Sequence, residues 1–483
     1  MTDTLSPPDA ANVAIPSPRD AGAAAGADGA EPQKLQRSIG VVGGTLLTLS
    51  CLTPASSLFV IVPGSFAVLG TGTALALAIA MVICIGVAFC YSELGTLVPS
   101  AGGEYAMAGS TLGKGTGWLA FIQALIVVMI VPPIIALGTA QYLAPILHVN
   151  ADVAGAAVML LATVMGLLDL RANAWITGIF LCLEVIASAL VACLGFAHSN
   201  RSASVMLHPQ LVGDHGHLNV VTAGTMIAGL ATALFITQGF STAVYLAEEM
   251  ERPNRTVPRT VLWTLGIGSA VILVPTIAIT MGAPSMSALD AGDISGMVSA
   301  WSNSAVGTFV SLCIALAIIN AAIVMVIQNS RVLYSSARDK AWPEPVNQAF
   351  VNLSKKFGSP WISTLAVGVP GAVLCFVPVD TLTNVTGVAV TLLYGFVAVA
   401  ALAARRGSHK LNTNAWRMPL WPAIPVLILA VLLYVLSQQA VSDLLITGGI
   451  TVASLLYWVF YLRPRPDTRW IITIPEDEEQ PAV

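Results

Sequence analysis

The stretch LSCLTPASSLFVIVPG, residues 49–64, lies inside the first long apolar segment of the chain. Its residues 53–57 are threonine, proline, alanine and two serines, at a place where an ordinary membrane helix carries apolar side chains. Proline lacks a backbone N–H and interrupts the hydrogen-bond ladder of a helix. The pattern therefore predicts a membrane span that is broken near its centre.

Composition assigns the whole chain to the membrane class. Of its 483 residues, 56% are hydrophobic and 10% are charged, whereas about a quarter of the residues in soluble domains are charged. Apolar segments of about 20 residues, long enough to cross a bilayer as helices, recur along the chain. Barrel strands are much shorter, and no other structure satisfies the backbone in lipid. We therefore expect an all-α membrane protein.

Twelve spans are predicted, with both termini on the cytoplasmic side of the cell membrane. This orientation puts all of the 21 lysines and arginines except Arg201 inside, in line with the positive-inside rule. Residues 1–36 are predicted to form a disordered cytoplasmic tail, and residues 463–483 a cytoplasmic C-terminal tail. The predicted spans lie at roughly 38–63, 70–92, 117–145, 152–169, 174–197, 222–247, 260–282, 305–334, 360–378, 382–404, 419–438 and 441–462.

A second break is predicted at TQGFS, residues 237–241, in the sixth span and five spans after the first break. Interrupted segments at matched positions in two halves indicate a transporter built of inverted repeats. A unit of five spans ends with its polarity reversed, so two consecutive copies are inverted relative to each other. We predict five-helix repeats at residues 37–197 and 222–404, with helices 11 and 12 appended at 419–462. A simple kink at each place is the alternative.

Three motifs carry a resemblance to a known family. They are YSELGTLVPSAGGEYAMAGSTLGKGTGWL at residues 91–119, GFSTAVYLAEEMERPNRTVPR at 239–259 and NSRVLYSSARDKAWPEPV at 329–346. In this order they resemble the loop after span 2, span 6 with its following loop, and the end of span 8 of the amino acid/polyamine/organocation permeases. The resemblance covers about residues 38–403. It implies a leucine-transporter-type fold, a 5+5 inverted repeat with helices 1 and 6 broken.

The resemblance also implies that the substrate lies between the two breaks. Free N–H groups at the start of a half-helix attract a carboxylate, and exposed carbonyls at the ends of the first halves face an ammonium group. Many family members have a Gly-Ser-Gly-like core at the first break, where this chain has Pro-Ala-Ser-Ser. Phe240 either covers the substrate or packs in the core. The predicted substrate-binding residues are Thr53, Ala55, Ser56, Ser57, Leu58, Phe235, Thr237, Gln238, Gly239, Phe240 and Ser241.

Four charged residues are candidates for coupling and gating. Glu184 is the carboxylate that lies deep inside a predicted span, where ionisable groups are expensive and usually face a cavity. It can bind a coupling proton, attract a cationic amine, or stay neutral and hydrogen-bond a neighbouring helix. Near the predicted cytoplasmic face, Glu93, Glu249 and Arg255 either form an ion-paired gate or anchor loops at the membrane surface.

These features predict a secondary active transporter that moves an amino acid by alternating access, coupled to protons or by exchange. A polyamine or organic amine permease is the alternative, and a membrane sensor without net transport is a further one. An enzyme is not expected, because every histidine lies in a loop and the seven cysteines lack metal-ligand spacing. The expected partners are the substrate, a proton and the lipid bilayer. No cofactor, metal or nucleic acid is expected.

Overall fold

The computed structural model describes residues 37, 39–100, 102–168, 173–212, 217–354, 359–406 and 414–472. The predicted tail 1–36 and residues 473–483 of the predicted C-terminal tail lie outside this part of the chain. Within it, eight helical runs are long and apolar enough to cross a membrane. The first run, Val41–Leu97, is 57 residues long and covers two predicted spans. The prediction of an all-α membrane protein is therefore confirmed.

The described part of the first half of the chain contains nine α-helices. A π-helical turn, Ser57–Ile61, and a 3-10 turn, Gly70–Gly72, connect successive helices. The helices are α1 (Val41–Leu52), α2 (Pro54–Ser56), α3 (Val62–Leu69), α4 (Thr73–Leu97), α5 (Gly103–Leu112), α6 (Lys114–Leu137), α7 (Thr139–Leu143), α8 (Ala151–Leu167) and α9 (Asn173–Ala197). Helix α5 lies where the sequence predicted only a loop.

The described part of the second half of the chain contains ten α-helices. A 3-10 helix, Phe240–Glu249, follows α10, and a π-helical turn, Trp458–Leu462, ends the last helix. The helices are α10 (Ala223–Ile236), α11 (Pro253–Gly282), α12 (Met286–Asp290), α13 (Ile294–Trp301), α14 (Ser304–Arg338), α15 (Glu344–Phe350), α16 (Trp361–Leu374), α17 (Val379–Ala403), α18 (Ala423–Ser437) and α19 (Val441–Tyr457).

A two-stranded sheet lies in the loop between α9 and α10. Strand β1 (Gln210–Val212) pairs antiparallel with β2 (Leu218–Val220), and Gln210 lies opposite Val220. The Gln210 N–H donates to Thr71 Oγ1 at 3.0 Å. This loop is thereby fastened to the turn between α3 and α4.

Small residues set how closely the long helices pack. A Cβ atom added at Gly195 of α9 would lie 2.8 Å from the carbonyl carbon of Ala278 in α11. A Cβ atom at Gly387 of α17 would lie 3.0 Å from the carbonyl carbon of Ala231 in α10. In lipid, association of helices depends on such close backbone approach, because no hydrophobic force draws apolar helices together.

Residues 463–472 fold back onto the bundle. The Trp470 side chain is fully buried, and its ring centroid lies 5.1 Å from that of Tyr105 and 5.2 Å from that of Trp118. Its indole N–H donates to the Lys114 carbonyl at 3.1 Å, and the Ile471 N–H donates to the Asp339 carbonyl at 2.9 Å. The segment thus joins the start of α6 to the end of α14.

Candidate functional site

The first span is broken at Thr53, inside the predicted interval. Helix α1 ends at Leu52, and Thr53 adopts a left-handed conformation with φ 41° and ψ 64°. Pro54 then begins α2; proline is favoured at this position because it has no N–H to satisfy. The N–H groups of Ala55 and Ser56 are first-turn donors, which have no partner within their own helix.

The sixth span is broken at the second predicted interval. Helix α10 ends at Ile236, and Gly239 has φ 124°, a conformation that residues with a side chain rarely adopt. The 3-10 helix Phe240–Glu249 continues from there. The carbonyl of Phe235 accepts the Gln238 N–H at 2.9 Å, so a tight turn ends α10.

The tertiary structure brings the two breaks into contact. A Cβ atom added at Gly239 would lie 2.9 Å from both Cα and Cδ1 of Leu52, the last residue of α1. Only a residue without a side chain allows the two backbones to approach this closely. We call residues 53–57 and 237–241 together the break site.

Three hydroxyl groups of the break site are buried without a protein partner. Thr53 Oγ1, Ser56 Oγ and Ser241 Oγ each lack a hydrogen bond to any described residue. By contrast, Thr237 Oγ1 donates to the Leu234 carbonyl at 3.0 Å and lies 3.2 Å from Cys84 Sγ. A buried polar group without a partner is destabilising by about 1–3 kcal/mol. The three free hydroxyls are therefore suited to a polar ligand.

The other predicted binding residues are buried or half-buried. Ala55, Ser57, Leu58 and Phe235 are buried, and Gln238 is half-buried. All of them belong to the residues that flank the two turns.

Phe240 lies in an aromatic cluster and is fully buried. Its ring centroid is 6.0 Å from that of Tyr91 on α4 and 6.1 Å from that of Tyr394 on α17. The Tyr91 and Tyr394 rings meet edge to face at 6.2 Å. The hydroxyl of Tyr394 has no hydrogen-bond partner among the described residues. Phe240 thus packs between two tyrosines directly beside the second break.

Glu184 lies on α9 with 3% of its surface exposed. Its Oε2 atom has no hydrogen-bond partner in the described part of the chain. Helix α9 packs against α11, α14 and the short helix α2 that follows the first break. The carboxyl group is therefore buried on a helix that adjoins the break site.

Glu93 takes its cationic partners from the segment after α17, and not from the loop at 252–259. Arg405 makes a bidentate pair with its carboxylate, at 2.7 Å from Nε to Oε1 and 2.9 Å from Nη2 to Oε2. Arg417 Nη1 donates to Oε1 at 3.3 Å, and the Met418 N–H donates to Oε2 at 3.1 Å. We call Glu93, Arg405, Arg417 and Met418 the Glu93 cluster. It joins the end of α4 to the residues that precede α18.

The other two gate candidates lie at the end of the 3-10 helix Phe240–Glu249 and in the first turn of α11. Arg255 is exposed on the first turn of α11. The backbone carbonyl of Glu249 accepts the Ile39 N–H at 2.9 Å, and the Glu251 N–H donates to the Ile39 carbonyl at 3.1 Å. These backbone bonds attach the start of the first span to the end of the 3-10 helix.

Sequence reasoning missed a buried carboxyl group, that of Glu104 on α5. Glu104 has 2% of its surface exposed, and its Oε1 accepts the Tyr91 hydroxyl at 3.0 Å. Burial raises the pKa of this carboxyl group above its ordinary value. A signal was present, because the residue follows a double glycine in the motif at 91–119, but a loop was expected there and a loop carboxylate is usually solvated.

Comparison with known proteins gives a consistent result. A family model described as amino acid permease matches residues 38–461. The chain is 20% identical to the methylthioribose transporter of Bacillus subtilis (strain 168), over 89% of this chain and 94% of that protein. It is 24% identical to the branched-chain amino acid permease BcaP of Lactococcus lactis subsp. cremoris (strain MG1363), over 85% and 89%. It is also 24% identical to the vacuolar cationic amino acid transporter 8 of Arabidopsis thaliana, over 74% and 62%.

Proposed function

Because the chain belongs to the amino acid permease family, whose model spans residues 38–461, we propose that it carries an amino acid across the cell membrane by alternating access. The observation that carries this proposal is the contact of the two breaks, where three buried hydroxyls lack partners. A zwitterion supplies both a hydrogen-bond acceptor and a donor to such a site. Its binding offsets the desolvation of the hydroxyls.

The charge pattern of the break site suits both ends of an amino acid. The N–H groups of Ala55 and Ser56 lie at the start of a helical segment, where the helix dipole attracts a carboxylate. The carbonyls at the ends of α1 and α10 attract an ammonium group. Thr53, Ser56 and Ser241 add hydroxyls, while Leu58, Phe235 and Phe240 supply apolar surface for the substrate's side chain.

The proposed architecture is twelve spans, with a 5+5 inverted repeat at residues 37–197 and 222–404 and two further helices at 419–462. The matched positions of the two breaks support it. The distribution of lysines and arginines supports cytoplasmic termini. On this orientation Arg201 lies outside, where its guanidinium donates to the Ala283 carbonyl at 2.6 Å, just after the end of α11.

We propose that transport is coupled to protons or proceeds by exchange, with Glu184 as the candidate coupling residue. Its buried carboxyl group has an unpartnered oxygen and lies on a helix that packs against α2. The same observation favours a second candidate function, a permease for amines, because an unpaired buried carboxylate also attracts a cationic substrate. Among the relatives, the transporter of Arabidopsis thaliana described above is named for cationic amino acids.

Uptake into proteoliposomes tests the function. The full chain is reconstituted and offered radiolabelled L-leucine, L-arginine, spermidine and methylthioribose, with and without a pH gradient. We expect gradient-driven accumulation of an amino acid. Accumulation of spermidine alone would favour the amine permease. Binding of a compound without uptake of any of them would refute transport and favour a sensor.

Glu184→Gln separates the two roles proposed for this residue. If Glu184 binds the coupling proton, the variant keeps exchange of the substrate but loses accumulation driven by the pH gradient. If it selects charge, only the uptake of cationic substrates falls. Unchanged uptake of all four compounds would assign Glu184 to structure.

A further inference from the structure

The carboxyl group of Glu104 is buried at the meeting point of three elements. Glu104 lies on α5, and Tyr91 of α4 donates to its Oε1 at 3.0 Å. Tyr245 and Ser241 of the 3-10 helix Phe240–Glu249 lie near the same carboxyl group. Its Oε2 atom and Ser241 Oγ nevertheless both lack a hydrogen-bond partner among the described residues.

Close backbone packing holds α5 against this part of the sixth span. Gly103, the residue before Glu104, has φ 52°, and a Cβ atom added there would lie 2.6 Å from Cζ of the Tyr245 ring. The apolar side chains of Ala243, Val244 and Ala247 are fully buried. The 3-10 helix therefore packs closely against α5 beside the second break.

No cation compensates the Glu104 carboxyl group in the described part of the chain. Helix α5 packs against α4, α6, α17 and the 3-10 helix, and its Tyr105 also contacts Trp470 and Asp339. Among the described residues, the titratable groups near the Glu104 carboxyl group are the phenols of Tyr91, Tyr245 and Tyr394. Phenols are neutral at pH 7. An ionised carboxylate here would thus be buried without a countercharge, which is strongly unfavourable.

The two possible charge states of Glu104 suit different arrangements. A neutral carboxyl group can donate a hydrogen bond to Ser241 Oγ and stay buried with the helix in place. An ionised one requires water, which enters only if the 3-10 helix moves away from α5. Protonation and helix position are linked for this reason.

We propose that Glu104 is a proton-binding positioning residue, whose neutral form holds the 3-10 helix Phe240–Glu249 against α4 and α5 and whose ionisation releases it. The proton comes from water on one side of the membrane and leaves to water on the other. This inference rests on the proposed function, because alternating access requires that the predicted cytoplasmic side open. It adds a second carboxyl group to the coupling scheme beside Glu184.

Hydrogen–deuterium exchange of the full chain in nanodiscs tests the proposal without any substrate. Peptides from 240–249 are followed between pH 5 and pH 9, with rates corrected for the intrinsic effect of pH. In the wild type we expect exchange there to rise at least about tenfold with pH, as a one-unit difference in pKa between the two forms produces. Glu104→Gln, which fixes a neutral group, should exchange slowly throughout the range. Glu251→Gln, an exposed carboxyl group nearby, is the matched control and should follow the wild type.

Tyr91→Phe gives an independent measurement on a milder variant. It removes the hydrogen bond to Oε1, which favours the ionised form, and keeps the ring beside Phe240. The midpoint of the pH response should move up by about one pH unit. A wild-type response that is flat, a response that survives Glu104→Gln, or a midpoint that Tyr91→Phe leaves in place would each overturn the role of Glu104.

Uptake of L-leucine and L-arginine by the same variants, reconstituted into proteoliposomes, separates this proposal from the proposed function. A protein whose helix responds to pH through Glu104, but which takes up no compound of the panel, would refute transport and retain the proton-linked helix. A protein that takes up a compound, but whose 3-10 helix does not respond to pH, would retain transport and refute the role of Glu104.

Discussion

The Glu93 cluster and the break site both bury polar side chains, but the two regions differ in how many of these side chains have hydrogen-bond partners. The two oxygens of Glu93 accept bonds from Arg405, Arg417 and the Met418 N–H. In the break site, the hydroxyls of Thr53, Ser56 and Ser241 neither donate nor accept a hydrogen bond among the described residues. A polar group that the protein satisfies contributes to stability, whereas one that it leaves free is kept at a cost in stability. We therefore expect mutations to separate the two regions, with effects on folding in one and on transport in the other.

Glu93→Ala should have the largest effect and should act on stability. Removal of one partner from a buried ion pair is destabilising by about 3–5 kcal/mol, because it leaves the other charge without compensation. We expect a large fall in Tm of the purified protein in detergent, measured with Glu251→Gln as the exposed control. A Tm equal to that of the wild type would show that the Glu93 cluster does not stabilise the fold.

Trp470→Ala should be nearly as harmful. Truncation of a buried aromatic side chain is destabilising by about 3–5 kcal/mol, and this ring packs against Tyr105 and Trp118. Limited proteolysis should then cleave residues 463–472 faster than in the wild type. Trp263→Ala, at a side chain that is 60% exposed, is the control and should leave cleavage there unchanged. Equal cleavage of all three proteins would contradict a packed segment.

Gly239→Ala should lower transport more than stability. The new Cβ atom would lie 2.9 Å from Leu52 Cα, and the backbone has φ 124°. Strain of about 1–3 kcal/mol at the break site corresponds to a loss of about fivefold to 150-fold in the uptake rate constant. Gly266→Ala, where an added Cβ atom meets nothing within 4 Å, is the matched control. Equal uptake by the two variants would argue against contact between the breaks.

Ser56→Ala and Ser241→Ala should have the smallest effects, and they should separate substrate binding from stability most clearly. Neither hydroxyl has a hydrogen-bond partner among the described residues, so Ser56→Ala should not lower Tm, and Ser241→Ala should lower it only where a neutral Glu104 donates to Ser241 Oγ. If the hydroxyls contact substrate, KM should rise about fivefold, the equivalent of one hydrogen bond of about 1 kcal/mol. Ser50→Ala serves as the control, because its hydroxyl already donates to the Leu46 carbonyl at 3.0 Å. A fall in Tm without a change in KM would assign these serines to structure.

Much of the fold could be predicted from local patterns. The breaks lie at Thr53 and Gly239, where proline, glycine and hydroxyl residues interrupt apolar segments, because backbone chemistry of this kind acts over a few residues. Glu184, predicted to lie deep in a span, is buried with 3% of its surface exposed.

Other features depend on contacts between residues that are distant in the sequence, and local patterns do not predict such contacts. The predicted neighbours of Glu93 were arginines near residue 255, yet its bidentate partner Arg405 lies 312 positions away along the chain. Glu104 was overlooked because its loop proved to be a buried helix. Trp470 lies in a segment that was predicted to be a tail.

The sequence by itself determined that the chain is a helical membrane protein, and it determined where two of its spans break. Those properties follow from the length of apolar segments and from the missing or unconstrained backbone groups of proline and glycine. Only the tertiary structure decided that Gly239 meets Leu52, that Glu93 is paired, and that the hydroxyls of Thr53, Ser56 and Ser241 have no hydrogen-bond partner among the described residues. Whether a buried polar group has a partner depends on which distant helix packs against it, and in lipid that packing follows from surface shape rather than from hydrophobicity.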